Sequence, residues 1–105
     1  MYTAPSPTPD DVRTMTGVVV LDFGTNSCGY CQEAAPIILA ALKALQAELP
    51  LQHVQVEDGP GRKLGRSFRV KLWPTLIVLQ DGQEVARVVR PTSPAVIVEE
   101  LNKAL

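Results

Sequence analysis

The run Val18-Val19-Val20-Leu21-Asp22-Phe23 is apolar at every position but one, and its first three residues are β-branched. A strand with one wet face would alternate apolar and polar residues, whereas a continuous run marks a strand buried on both faces. It therefore belongs inside a sheet with helices over both sides. Cys28 to Leu49 follows as a long helical stretch, with Ile38, Leu42, Leu45 and Leu49 on one stripe and Glu33, Lys43 and Glu48 at polar positions. Pro36 lies inside it and is expected to kink it. Leu51 to Glu57 reads as a second strand. A strand–helix–strand unit requires a parallel pair with a right-handed crossover. Further on, Thr75–Leu79 and Glu84–Val89 flank Asp81-Gly82, a strong hairpin signal that requires an antiparallel pair. A mixed central sheet flanked by helices satisfies both demands.

The remaining elements are short. Pro60 to Arg69 reads as a helix, with Leu64 and Phe68 on one face. Ser93-Pro94 supplies a cap and a first-turn proline for a closing helix carrying Ile97, Leu101 and Leu105. Asp10 to Met15 is expected to form a short helix capped by Asp10 and ended by Gly17. Residues 1–9, with Pro5, Pro7 and Pro9 among Ser and Thr, read as an extended or disordered lead-in, leaving 10–105 as the one domain that 105 residues favour.

Composition narrows the function. With 46% apolar and 20% charged residues the chain is globular in character, and a net charge of −1 gives no electrostatic case for nucleic acid or an anionic membrane. No apolar run approaches a membrane span. Met1 to Pro9 has neither a basic nor an apolar signal region, so a cytoplasmic monomer is expected, although a secreted form freed of its signal reads identically.

The chemistry gathers at Cys28-Gly29-Tyr30-Cys31, which holds both cysteines. Thiols three residues apart can close a small disulfide and reopen it. At the start of a helix, the first sulfur meets unpaired amides and the positive end of the dipole, which favour its thiolate, the nucleophile of disulfide exchange. Cys28 is therefore the expected attacking thiol. Cys31, one turn inside, is the expected resolving thiol. A zinc site would need four ligands, and the chain offers two Cys and one His. No metal and no cofactor beyond the redox-active pair is expected.

Leu21-Asp22-Phe23, Cys28-Gly29-Tyr30-Cys31, Pro36, Trp73-Pro74-Thr75 and Asp81-Gly82 together resemble the thioredoxin family, from about Val18 onward. The resemblance implies a thioredoxin-like α/β fold, with the N-terminal strand short or missing, and dithiol–disulfide exchange on protein substrates. It makes Asp22 the buried aspartate that exchanges protons with the resolving thiol. A carboxyl group in an apolar strand suits that role, because lost solvation favours its neutral form. It makes Pro74 the family's cis-proline and Pro36 its helix-kinking proline. It places Gly29, Tyr30, Trp73, Pro74 and Thr75 along the substrate, with the Trp73 backbone pairing to it like an added strand. The implied electron donor is a reductase or a low-molecular-weight thiol.

The departures are as specific. The family's Gly-Pro between the thiols is Gly-Tyr here. Its tryptophan before the first Cys is Ser27, and its aromatic after Asp-Phe is Gly24. No lysine neighbours Asp22 in the strand around Gln55, and a glycine near the end of the last strand is Arg90. Trp73 is expected to replace part of the missing aromatic surface. Tyr30 is more like glutaredoxins, which keeps a glutathione-linked oxidoreductase as one alternative; a redox-inert interaction module is another. Arg62, Arg66 and Arg69, with Lys63 and Lys71, read as a solvated face. His53 reads as a surface or satisfied structural residue, and Glu57-Asp58 as turn chemistry.

Overall fold

The computed structural model describes residue 2 and residues 6–105. In order, α1 spans Pro9–Arg13, β1 Val18–Gly24, α2 Gly29–Gln46, β2 Leu51–Glu57, α3 Lys63–Ser67, β3 Thr75–Gln80, β4 Gln83–Val89 and α4 Pro94–Ala104. Among the described residues the sheet has four strands in the order β2-β1-β3-β4, with β1 parallel to β2 and the other pairs antiparallel. The fold is the expected mixed sheet flanked by helices. What precedes β1 in the described residues is a helix rather than a strand.

Each sheet face carries its own core. Val20, Leu76, Val78 and Val88 pack against Ile38, Leu42 and Leu45 of α2 and Ile97 and Leu101 of α4. On the other face Val19, Leu21, Phe23, Ile77 and Leu79 meet Val12 of α1 and Leu64 of α3. Val19 to Phe23 are all at most 2% exposed, as a strand covered on both sides must be.

Helix ends differ from the expectations for definite reasons. α1 is capped by Thr8, not Asp10. Asp11 N–H donates to Thr8 Oγ1 at 3.0 Å, and Thr8 N–H donates to the Asp11 carboxylate at 2.9 Å. Pro9, which lacks an N–H and has a helix-compatible φ, occupies the first turn. Pro9, the last residue of the expected extended lead-in, thus opens a helix. α3 is shorter than Pro60–Arg69, because Gly61 (φ 80°) and Arg69 (φ 58°) take left-handed conformations on either side of it. The hairpin turn has Asp81 at φ 51° and Gly82 at φ 83°, the positive pair that a two-residue turn between twisted strands requires.

Sheet register positions the site. Phe23 pairs with Thr75, Thr75 with Val89, and Gly24 with Glu57. The loop after β1, the turn after β2, the loop before β3 and the end of β4 therefore meet at one edge.

Candidate active site

Cys28 is the N-cap of α2. Its backbone is extended (φ −85°, ψ 121°), and its sulfur accepts a hydrogen bond from the Cys31 N–H at 3.2 Å. Sulfur here takes the place of a capping Ser or Asp oxygen, a position that favours negative charge. The two thiols are free and unequal. Cys28 is part-exposed, whereas Cys31 is 2% exposed. Burial, and then its hydrogen bond with Cys28, push the Cys31 thiol from 9.0 up to about 12.

The Trp73–Pro74 peptide bond is cis, and the loop before β3 that carries it is tied down on several sides. The Trp73 indole N–H donates to Asp58 Oδ2 at 2.8 Å, and Asp58 is itself held by its N–H donating to Gly24 O at 2.9 Å. The Thr75 hydroxyl donates to Leu72 O at 2.5 Å, and Thr75 is 2% exposed. Its side chain braces the loop from inside and does not face a substrate. Arg90 N–H donates to Pro74 O and Arg90 Nε–H to Trp73 O, each at 2.9 Å. The Arg90 guanidinium also lies 3.9 Å from the centre of the Tyr30 ring. Gly29 and Tyr30 are exposed. A groove of about 320 Å³ runs between Tyr30, Glu33, Ile37, Pro74 and Arg90.

The family profile described as Thioredoxin matches residues 7–103. The chain belongs to the thioredoxin family. Its activity in general is that family's, thiol–disulfide exchange with thiol-based redox partners. It is 34% identical over 97 residues to the thioredoxin of Mycolicibacterium smegmatis, covering 90% of this chain and 85% of that one. It is 36% identical over 91 residues to a thioredoxin of Chlamydia pneumoniae, covering 84% and 83%. Among solved structures, thioredoxin 2 from Pseudomonas aeruginosa PAO1 in its reduced form superposes with a TM-score of 0.85 at 46% identity, covering 98% of this chain and 93% of that one.

Around Asp22 this thioredoxin-family site holds residues that sequence reasoning passed over. Asp22 is 2% exposed. Its Oδ1 accepts the Tyr2 hydroxyl at 2.6 Å, and its Oδ2 lies 2.9 Å from His53 Nε2. Of the two expected readings His53 takes the second: it is a satisfied, part-buried residue, and the partner that satisfies it is Asp22. The parallel register carries a signal for it. Val20 pairs with His53 and Asp22 with Gln55, so alternation puts His53 on the face of Asp22. Tyr2 gives no such signal, because its contacts lie twenty or more positions away. It is 7% exposed, although it stands in the segment read as a lead-in. Asn26 clamps its backbone twice, accepting from Tyr2 N–H at 3.0 Å and donating to Tyr2 O at 2.8 Å. Residues 1, 3, 4 and 5 of that segment lie outside the described residues. The ring standing against Gly24 is likewise Tyr2, not Trp73, whose indole is committed to Asp58.

Proposed function

We propose that this chain performs dithiol–disulfide exchange on protein substrates through Cys28 and Cys31. The observation that carries the reading is the asymmetry of the pair: one sulfur at a helix cap and part-exposed, the other buried and held protonated. The Cys28 thiolate attacks a substrate disulfide. A Cys28–substrate bond forms, and the first substrate sulfur leaves as a thiolate. Cys31 then gives up its proton, with Asp22 as the acceptor, and attacks Cys28. The Cys28–Cys31 disulfide forms and the second substrate sulfur leaves. A reductase or a low-molecular-weight thiol returns the two electrons.

Substrate lies along the groove beside Tyr30 and Pro74, with the exposed Gly29 next to Tyr30 at the start of α2. The Trp73 carbonyl has one lone pair engaged by Arg90 Nε–H and one left for an added strand. A cytoplasmic, reducing setting suits two free thiols.

Cys31→Ser tests the assignment. It should hold a mixed disulfide at Cys28, and the trapped proteins are the substrates. Trapping through Cys31 in Cys28→Ser instead would reverse the roles. Failure of the unmodified protein to speed insulin reduction by dithiothreitol would favour a redox-inert module.

A further inference from the structure

Two atoms meet at Gly24. A Cβ placed there would stand 2.6 Å from Cys31 Sγ and 2.7 Å from the Tyr2 hydroxyl oxygen. The resolving sulfur and the phenol therefore border the same small space, one that any residue larger than glycine would fill. On its other side the same hydroxyl donates to Asp22 Oδ1 at 2.6 Å. Asp22 thus reaches toward the resolving thiol with a phenol alongside.

We propose that Tyr2 is a catalytic residue of the resolving step, passing the Cys31 proton to Asp22 through its hydroxyl. This rests on the exchange reaction proposed above. When Cys31 attacks Cys28 in the mixed disulfide, its thiol proton moves to the Tyr2 oxygen while the Tyr2 proton moves to Asp22 Oδ1. The S–H bond breaks, the Cys28–Cys31 bond forms, and the substrate sulfur leaves with the electron pair of the broken disulfide. The phenol begins and ends neutral. That fits its surroundings, because burial, and then the Asp22 charge, hold Tyr2 strongly toward its protonated form. A group held toward its protonated form can still hand on a proton in concert.

The surrounding contacts hold the relay in place. The double bond to Asn26 fixes the Tyr2 backbone. His53 keeps Oδ2 occupied; against an ionised Asp22, an acceptor only, the ring nitrogen must donate. His53 is therefore a positioning residue. Among the described residues, the titratable groups facing Asp22 are Tyr2 from the segment ahead of α1, Cys31 from α2 and His53 from β2. Its partner on β3 is Leu76, which does not titrate.

Stopped-flow reaction of the reduced protein with an aromatic disulfide that releases a coloured thiolate resolves both steps. The first release reports attack by Cys28, and the second reports resolution by Cys31. Tyr2→Phe keeps the ring and removes the hydroxyl. It should slow the second phase by about a hundredfold, the low end of what a positioned acid–base group contributes, and leave the first within about twofold. Moving two protons gives the second phase of the unmodified protein a solvent deuterium isotope effect that Tyr2→Phe diminishes. Equal slowing of both phases, or an unchanged isotope effect, makes Tyr2 structural and overturns the inference. If Asp22→Asn slows resolution and Tyr2→Phe does not, the relay falls and the exchange reading stands. If neither does, Asp22 as acceptor falls with it.

Discussion

Gly24→Ala is the smallest change that asks whether the packing around the resolving thiol is as described. The new methyl carbon would meet Cys31 Sγ at 2.6 Å and the Tyr2 ring and hydroxyl at 2.7 Å, all inside van der Waals contact. Cys31 is fixed on α2 and buried, so Tyr2 is the group able to yield. Overpacking a filled site costs about 1–3 kcal/mol. Letting Tyr2 swing out instead forfeits its hydrogen bond to Asp22, worth about 1.5–3 kcal/mol for a charged acceptor. The chain takes the cheaper route, so the expected loss is about 2 kcal/mol by either. For a domain of this size that is roughly 8–10 °C in Tm. Urea denaturation should show the midpoint falling without a change in slope. The same substitution in a Tyr2→Ala background should cost visibly less, since two of the three closest atoms are then gone. A loss under about 0.5 kcal/mol, or one undiminished without Tyr2, refutes the placement of Tyr2 against Gly24 and the relay that depends on it.

Two further outcomes follow from the thiols. Cys31 is raised from 9.0 to about 12 in the folded chain, so in that window the unfolded chain releases a proton the folded one keeps. Stability should therefore fall as pH climbs from about 9 toward 12, by up to about 1.4 kcal/mol per pH unit for the one proton. Urea midpoints against pH should lose this component in Cys31→Ala; identical slopes in the two proteins would sink it. The Gly-Tyr pair leaves the first turn of α2 with a backbone N–H that proline would lack. Extra donor capacity beside Cys28 favours the reduced pair, so the couple should be more oxidising than the about −270 mV of thioredoxin. Equilibration with glutathione measures it, and a value at or below that reference would refute the reasoning.

What was readable in the sequence was whatever local chemistry decides. The unbroken run at Val18–Phe23 could only be a strand buried on both faces, and Asp81-Gly82 could only favour a turn with two positive φ angles. Together with the helical stretch and second strand that follow the first, those features lead to a mixed sheet, and the sheet brings Cys28 and Pro74 to one edge. Contacts made by residues far apart in the chain were not readable. The Thr8 cap is the exception among local features: Asp10 offers a rival cap oxygen two residues on, and only Pro9 in the first turn and the Asp11 carboxylate accepting from the Thr8 N–H decide between them. Tyr2 follows from nothing near it. Its place depends on Asn26 and Asp22, which nothing in residues 1–9 announces. His53 lay between these cases, since the strand register would have revealed it once β1 and β2 were paired side chain by side chain.

The departures from the family's usual residues are linked through space. An aromatic at position 24 would occupy the volume that Tyr2 fills, so Gly24 and Tyr2 stand or fall together. With no lysine near Gln55, the second oxygen of Asp22 turns to His53. The glycine expected near the end of β4 would suit the positive φ of 49° that Arg90 adopts at a cost of about 1–2 kcal/mol. Two main-chain hydrogen bonds to the Trp73-Pro74 loop and the stack on Tyr30 offset that cost. That stack in turn uses the aromatic ring standing where the family has proline. Each unusual residue thus supplies the surroundings another requires. Restoring one family residue alone should therefore disturb this site more than its substitution for a commoner residue suggests. Gly24 is the sharpest case: the residue that looks most like a loss is the one that admits a phenol to the resolving thiol.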